Sequence, residues 1–502
     1  MRTFNRSMIV LLLILLWMAP MQAFAANLNP IDSSKLEKID KYVKEQFELA
    51  GLSGGSYAIV NKEAIVQAEG IGYSDLASRR EATPDTVFAV ASVTKAMTAA
   101  VILKLAEAGK IDLDAPVKDY LPWFQYKDRE RSANVTVRHL LTHSAGVSRY
   151  AADGAIYEDI AVNRNSREHA ARTLQNVDMN SEPGVKGQYC NTCYNLLGLV
   201  METVTQQPYE IYMRDQLFEP LGMNSTRFLA AESTDMDAGV AKEYGYLFGF
   251  RTQVDPYWKE FGSSQAPEGG AYSSATDLGR FVSAVLGFGG DAFFTSGQLQ
   301  AYTKTGVQAS DLSDSVYTAS GFEARKMHGT PILVKSGEGM GSSSSMILLP
   351  NQRTGIVLLT GETDGENCKQ IASGIAAIML DQQPESVEGV PNVMQVLGYI
   401  SLGLLILSLL LLLWLVVNFV QLRRNQLRIR RRWAVILRLC LFGFLSVPFW
   451  YLLLKVRPTE AGFYGYPYDA AIAMSAAAVV LSLWALYSAV ILVICTNSKE
   501  RS

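Results

Sequence analysis

Residues 88–111 read FAVASVTKAMTAAVILKLAEAGKI, and this stretch decides the fold. Its S-x-x-K pattern places Ser92 and Lys95 one helical turn apart on the same face. Free backbone N–H groups and the helix dipole favour negative charge at Ser92, and a buried Lys95 could lose its proton and activate the hydroxyl. The plainer alternative is a serine helix cap with a solvated lysine. The apolar residues that predict a largely buried helix from about residue 92 are Val93, Met97, Val101, Leu103 and Leu105.

Two further motifs favour the catalytic interpretation. Tyr189 and Asn191 form a Y-x-N, and residues 335–337 form a K-S-G just ahead of a predicted strand. With the S-x-x-K, in this order, the chain resembles the penicillin-recognising serine hydrolases. The resemblance is to the class C β-lactamase-like group (peptidase family S12-like), which includes D-Ala-D-Ala carboxypeptidases, D-aminopeptidases and esterases. It covers nearly all of residues 32–382, with further matches at LLTHSAGV (140–147), residues 194–226 and residues 269–286.

The resemblance implies an α/β fold of the β-lactamase-like type, an antiparallel sheet flanked by helices plus a helical subdomain. The sequence pattern agrees with this expectation. Residues 32–49 predict an amphipathic helix, and residues 54–75 predict a hairpin. A second hairpin is predicted at 344–361, followed by a helix at 368–380. We expect the terminal helices on one face of the sheet and the helical middle on the other.

The resemblance also implies the catalytic roles. Ser92 attacks a carbonyl carbon and forms an acyl-enzyme. Lys95 and Tyr189 share the general-base work, and their division of it is left open. The oxyanion hole is expected from the backbone N–H groups of Ser92 and Glu338.

Substrate binding is expected from the Y-x-N and K-S-G motifs. Asn191 would orient Lys95 and hydrogen-bond a substrate amide. Lys335, followed by Ser336 and Gly337, would attract a substrate carboxylate and help to lower the Tyr189 pKa.

No cofactor or metal is expected. The four histidines and five cysteines form no cluster with metal-ligand spacing. A Ser-His-Asp triad would need a histidine near Ser92, and His143 lies in a motif that looks structural.

Cys190 and Cys193 surround Asn191 and raise a separate question. The family usually has a serine and a glycine at these two places. A disulfide is the favoured interpretation in an oxidising compartment, and free thiols packed as small apolar groups are the alternative. Redox and zinc roles lack the necessary context or ligands. A disulfide would stiffen the turn that directs Tyr189.

The ends of the chain predict export and membrane anchoring. Residues 1–25 read as a signal peptide with an A-x-A cleavage site. Residues 27–385 form the hydrolase domain. Three apolar spans follow at about 396–420, 433–454 and 470–495, and the six arginines between the first two predict a cytoplasmic loop. Arg438 is expected to extend toward the cytoplasmic face, and the catalytic domain lies on the periplasmic or extracellular side.

The predicted function is an exported, membrane-anchored serine hydrolase that acts on a peptide or acyl-amino acid. The plan resembles the prodrug-activating peptidases of nonribosomal peptide pathways and the FmtA-like proteins. The alternatives are a cell-wall D,D-carboxypeptidase or esterase, and a non-catalytic penicillin-type sensor. The formal net charge of −3 argues against nucleic acid as a partner. Membrane lipid is an expected partner, and a homodimer through the spans is possible.

Overall fold

The structure is a computed structural model, and it describes residues 32–61, 65–148, 167–229, 239–255, 262–287, 306–309, 316–423, 432–455 and 468–497. The predicted signal peptide at residues 1–25 lies outside the described residues, as do most of the six arginines of the predicted cytoplasmic loop.

The described secondary structure alternates hairpins with a helical middle. The strands are β1 (Gly54–Val60), β2 (Ile65–Asp75), β3 (Arg80–Glu81), β4 (Phe88–Ala89), β5 (Arg227–Phe228), β6 (Tyr244–Leu247), β7 (Phe250–Gln253), β8 (Ala271–Ser273), β9 (Tyr317–Ala319), β10 (Phe322–Met327), β11 (Thr330–Glu338), β12 (Ser343–Leu349) and β13 (Thr354–Thr360). The helices are α1 (Ser33–Ala50), α2 (Thr94–Glu107), α3 (Val117–Tyr120), α4 (Arg129–Ser132), α5 (Val137–Leu141), α6 (Arg167–Arg172), α7 (Asn191–Thr205), α8 (Tyr209–Met213), α9 (Ala266–Gly269), α10 (Ala275–Val285), α11 (Gly365–Met379), α12 (Val393–Arg423), α13 (Arg432–Lys455) and α14 (Tyr468–Asn497).

The main sheet has eight strands in the order β3-β2-β1-β13-β12-β11-β10-β9, and all of its described pairings are antiparallel. Every residue of β1, β12 and β13 is buried. Both faces of these strands are covered, whereas many antiparallel sheets have one face in contact with water. The strands are accordingly rich in Val, Ile and Leu instead of alternating apolar and polar residues. The two predicted hairpins are therefore confirmed, and they meet at the β1–β13 pair.

Helix α1 shows how the sequence builds one covered face. Asp32 caps it by accepting a hydrogen bond from the backbone N–H of Ser34 at 3.1 Å. Ile39, Val43 and Phe47 are buried at the spacing of one helical face. They pack with α11 against the side of the sheet that carries Ile59 and the neighbouring apolar residues.

The other face of the sheet carries the helical middle of the chain. Helix α2 has a buried side chain at nearly every position, so it is a core helix rather than a surface helix. Its apolar residues join those of α5, α7 and α10 in one cluster. Terminal helices on one face and the helical middle on the other are the predicted arrangement.

Three long helices follow the hydrolase-like part. Among the described residues, two segments are long and apolar enough to cross a membrane, Val393–Leu422 and Asp469–Leu492. The apolar part of α13 is shorter, Val435–Tyr451, and α13 contains Pro448. Two spans thus meet the length requirement, whereas the middle span stays a prediction.

The first long helix packs directly on the sheet domain. Gly249, between β6 and β7, approaches Gly398 so closely that a Cβ on Gly398 would lie 2.2 Å from the Gly249 nitrogen. The backbone N–H of Phe248 donates to Asp469 at 2.6 Å, and Asp469 is fully buried. The β6–β7 hairpin is therefore the described contact between the sheet domain and both α12 and α14.

Candidate active site

Ser92 lies where a strand end turns into the core helix. A short 3₁₀ turn, Ala91–Val93, precedes α2, and Ala91 has a φ of +44° that non-glycine residues rarely adopt. Thr94 stabilises this turn by donating from Oγ1 to the Ala91 carbonyl at 2.7 Å. The turn keeps Ser92 half-buried at the surface of the cluster while Lys95 points into it.

The structure brings the three predicted catalytic side chains together. The Tyr189 hydroxyl hydrogen-bonds to Ser92 Oγ at 2.6 Å. Lys95 Nζ donates to the same Oγ at 3.1 Å. Tyr189 lies 97 positions away in the chain, so only the fold can create this contact. In this geometry Ser92 Oγ accepts hydrogen bonds from both the Tyr189 hydroxyl and Lys95. An ionised Tyr189 at the same place would instead be an acceptor for the serine proton.

Two lysines surround the phenol ring of Tyr189. Lys95 Nζ lies 5.0 Å and Lys335 Nζ 4.8 Å from the ring centroid. Burial raises the pKa of the Tyr189 phenol, but the charges of Lys335 and Lys95, with hydrogen bonds from Lys95 and Ser92, outweigh it and lower the pKa. Tyr189 is therefore prepared to ionise more readily than an ordinary tyrosine.

The turn before α7 fixes the direction of Tyr189. Its ring packs on His143, with centroids 4.7 Å apart, and His143 Nδ1 accepts a hydrogen bond from the Cys190 N–H at 3.1 Å. Cys190 and Cys193 are joined in a disulfide, and both are buried. His143 thus acts on the tyrosine and its turn, which is the structural role that its motif indicated.

The K-S-G motif ends strand β11 beside Ser92. A Cβ on Gly337 would lie 2.8 Å from the Ser92 nitrogen and 2.4 Å from the Val90 carbonyl oxygen, so this close approach requires glycine. Ser336 Oγ lies 3.4 Å from Ser345 Oγ on β12, and Lys335 is buried. The motif therefore contacts the turn that carries Ser92 through its backbone at Gly337.

The predicted second oxyanion donor points in a suitable direction. The Gly339 N–H donates to the Ser342 carbonyl across the β11–β12 turn, and the register pairs Glu338 with Ser343. Because antiparallel pairs alternate between bonded and non-bonded, the Glu338 N–H is directed away from β12. Strand β10 pairs with β11 only as far as Val334, so beyond this residue β11 has an open edge among the described strands.

Asn191 follows Tyr189 by two residues, is the first residue of α7 and is buried. Its predicted contact with substrate stays a prediction.

One residue at the site escaped the sequence analysis. Glu268 places a carboxylate oxygen 3.0 Å from Lys95 Nζ, and its backbone carbonyl accepts from the same Nζ at 2.5 Å. Burial lowers the pKa of Lys95, but Tyr189 and Glu268 outweigh burial and raise it. Burial alone therefore does not fix the protonation state of Lys95, because the charges of Tyr189 and Glu268 favour its ammonium form. The division of the general-base work between Lys95 and Tyr189 stays a prediction. Glu268 directly precedes the segment 269–286, which the sequence analysis identified as a family match without including this carboxylate.

The fold and this site match a serine hydrolase architecture in which lysine and tyrosine flank a serine hydroxyl. The chain belongs to the beta-lactamase family, whose family model matches residues 39–374.

Relatives are moderately similar in sequence. The chain is 27% identical over 324 residues to Protein flp of Staphylococcus aureus (strain N315), which covers 64% of this chain and 62% of that protein. It is 30% identical over 251 residues to the putative penicillin-binding protein PbpX of Bacillus subtilis (strain 168), covering 50% of this chain and 58% of PbpX. The chain thus spans less than two thirds of the length of both relatives.

A solved structure of similar fold is the octameric penicillin-binding protein homologue from Pyrococcus abyssi. It is 26% identical, with a TM-score of 0.61, and the match covers 70% of this chain and 78% of that chain. The β-lactamase-like α/β fold predicted from the motifs is confirmed.

Proposed function

We propose that the protein is an exported, membrane-anchored serine hydrolase that forms an acyl-enzyme on Ser92. The observation that carries this proposal is the 2.6 Å contact between the Tyr189 hydroxyl and Ser92 Oγ, with Lys95 Nζ 3.1 Å from the same oxygen. A serine so placed has a route for its proton and a cation beside the oxygen that becomes the nucleophile.

The reaction would proceed in two halves. With Tyr189 in its phenolate form, Ser92 Oγ bonds to the substrate carbonyl carbon while the serine proton passes to the phenolate oxygen, and the oxyanion binds the N–H groups of Ser92 and Glu338. Tyr189 then gives that proton to the leaving nitrogen as the carbon–nitrogen bond breaks. In the second half, water gives a proton to Tyr189 and attacks the ester, and Ser92 recovers its proton when it leaves.

The substrate class we propose is a peptide or an acyl-D-amino acid. The open edge of β11 beyond Val334 could pair with an extended peptide, and amide cleavage needs the proton that Tyr189 can return to nitrogen. Lys335 offers a cation for a substrate carboxylate, which is the feature that a D,D-carboxypeptidase would also use. The proposal therefore includes two enzymes, a prodrug-activating peptidase and a cell-wall D,D-carboxypeptidase. The substrate that is cleaved distinguishes between them.

We also propose that residues 27–385 form the exported hydrolase and residues 396–495 a three-span anchor, preceded by the signal peptide. The support is the exposed apolar surface of α12, where Leu407, Leu410 and Leu413 are each more than half exposed. A face of this kind is unfavourable in water and suits lipid. Fusions of alkaline phosphatase after Gly389, Asn425 and Glu460 should be active, inactive and active, respectively. Activity at Asn425 would contradict the orientation.

The nucleophile can be tested on the full-length protein in detergent. A fluorophosphonate probe or fluorescent penicillin should label wild type and Ser34→Ala, which removes an exposed serine, but not Ser92→Ala. Equal labelling of wild type and Ser92→Ala would refute the assignment. Mass spectrometry with acyl-D-aminoacyl peptides, D-Ala-D-Ala peptides and aryl esters then identifies the bond that is cleaved.

A further inference from the structure

Glu268 and Lys95 form a buried ion pair beside the nucleophile. The Glu268 side chain is 4% exposed and that of Lys95 is fully buried, and the nearest oxygen and nitrogen are 3.0 Å apart. A buried ammonium that loses its counter-charge is strongly disfavoured, so this carboxylate has a direct effect on the charge of Lys95.

The short helix α9 holds Glu268 rigidly. Pro267 packs on α7 so tightly that a Cβ on Gly198 would lie 2.4 Å from the proline ring. The Pro267 carbonyl accepts from Thr98 Oγ1 at 2.8 Å, one turn beyond Lys95 on α2. Just after α9, the Ala271 carbonyl accepts from the Val90 N–H at 3.0 Å. Glu268 is thereby fixed to the same backbone that positions Ser92.

The described charges around Lys95 and the phenol come from four different segments. Tyr189, in the turn before α7, contributes the charge of its ionised phenol. Tyr194 on α7, whose ring lies 5.8 Å from Lys95 Nζ, stays neutral because burial raises the pKa of its phenol. Lys335 comes from β11, and the charges of Glu323 on β10 and of Tyr189 act on it. With Tyr189 ionised, two lysines face two anions, Tyr189 and Glu268.

We propose that Glu268 is a positioning residue that holds Lys95 as an ammonium, so that Tyr189 alone accepts the Ser92 proton. The inference rests on the proposed function and resolves the division of labour between lysine and tyrosine. Lys95 keeps its proton throughout and donates to Ser92 Oγ, while one proton moves from Ser92 to the Tyr189 oxygen and then to the leaving group.

The test is the pH dependence of fluorophosphonate labelling of the full-length protein, measured as a second-order rate constant. In this reaction Ser92 Oγ bonds to phosphorus, fluoride leaves and the serine proton passes to Tyr189. The variants are Glu268→Gln, Glu268→Asp and Asp277→Asn. The last is the matched control, because Asp277 is also buried and ion-paired, with Arg280 at 2.7 Å, and is not among the charges that act on Lys95 or Lys335.

We expect Glu268→Gln to move the alkaline limb of the profile to lower pH, because Lys95 now loses its proton within the measured range. A shift of one pH unit corresponds to about a tenfold loss of rate on that limb. Glu268→Asp keeps the charge but holds it farther from Lys95, so it should move the limb in the same direction by a smaller amount, and Asp277→Asn should keep the wild-type profile. If Glu268→Gln does not fold, as judged by its melting curve, the alkaline limb of Glu268→Asp decides, and a wild-type position together with reduced rate at every pH overturns the inference.

Two results with folded Glu268→Gln would also overturn it. Faster labelling at neutral pH, with the acidic limb moved down, would make neutral Lys95 the base. A loss that is equal at every pH would make Glu268 merely structural. If wild type is not labelled through Ser92, the proposed function itself fails, and the inference fails with it.

Discussion

Replacing Tyr189 by phenylalanine removes one oxygen atom and tests the central contact of the site. The Tyr189 hydroxyl lies 2.6 Å from Ser92 Oγ. The other described partner of Ser92 Oγ is Lys95 Nζ at 3.1 Å, which can only donate a hydrogen bond while it is protonated. Tyr189→Phe therefore removes the proton acceptor and leaves the donor. Loss of a positioned general base costs about 10²–10⁴-fold in rate, which equals about 3–5 kcal/mol of transition-state stabilisation.

The matched control is Tyr194→Phe, five residues later in the first turn of α7. The Tyr194 hydroxyl is buried and donates to the Leu141 carbonyl at 3.0 Å, so its removal leaves a buried acceptor unsatisfied. We expect a loss of about 1–3 kcal/mol in unfolding free energy from Tyr194→Phe with little change in labelling rate. Tyr189→Phe keeps its ring stacked on His143 and should fold.

The assay is the fluorophosphonate labelling rate at neutral pH, with a melting curve for each variant. The reasoning is refuted if Tyr189→Phe keeps more than about a tenth of the wild-type rate, well above the range for loss of a general base. It is equally refuted if Tyr194→Phe loses as much rate as Tyr189→Phe, because the effect would then come from general disturbance of α7.

Three other outcomes are expected. Gly337→Ala would place a Cβ 2.4 Å from the Val90 carbonyl oxygen and 2.8 Å from the Ser92 nitrogen. The labelling rate should fall by about 10²-fold or more because the oxyanion site is displaced. An unchanged rate would contradict the role of β11 in the oxyanion site. Burial raises the pKa of Glu243 to about 7 from 4.5, so the folded protein favours its protonated form. The free energy of unfolding should therefore fall by about 3 kcal/mol as pH rises from about 4.5 to about 7. Glu243→Gln should remove that pH dependence in melting experiments, and an unaltered dependence would contradict the reasoning. Gly398→Ala, whose Cβ would lie 2.2 Å from the Gly249 nitrogen, should lower the melting temperature in detergent, whereas Gly443→Ala, with open space around its Cβ, should not; equal melting temperatures would argue against the contact between α12 and the hairpin.

Secondary structure that depends on residues close together in the chain could be predicted from the sequence. The period of Ile39, Val43 and Phe47 predicted α1 because a helix repeats its face every three to four residues. The two hairpins were predictable from apolar runs separated by turn residues, and the structure pairs them as β1–β2 and β12–β13. The boundary of α2 was less readable, because a 3₁₀ turn carries Ser92 before the α-helix begins at Thr94.

The chemistry of the site divides in the same way. The sequence by itself determined which residue types meet, because Ser92 and Lys95 share one helical turn and the Y-x-N and K-S-G motifs follow in a fixed order. It could not determine the charge of Lys95. That charge depends on burial and on Glu268, which lies 173 positions away and reaches the lysine only when α9 packs on α2. An ionisation state is set by distance and solvent exclusion in three dimensions, so only the tertiary structure could decide it.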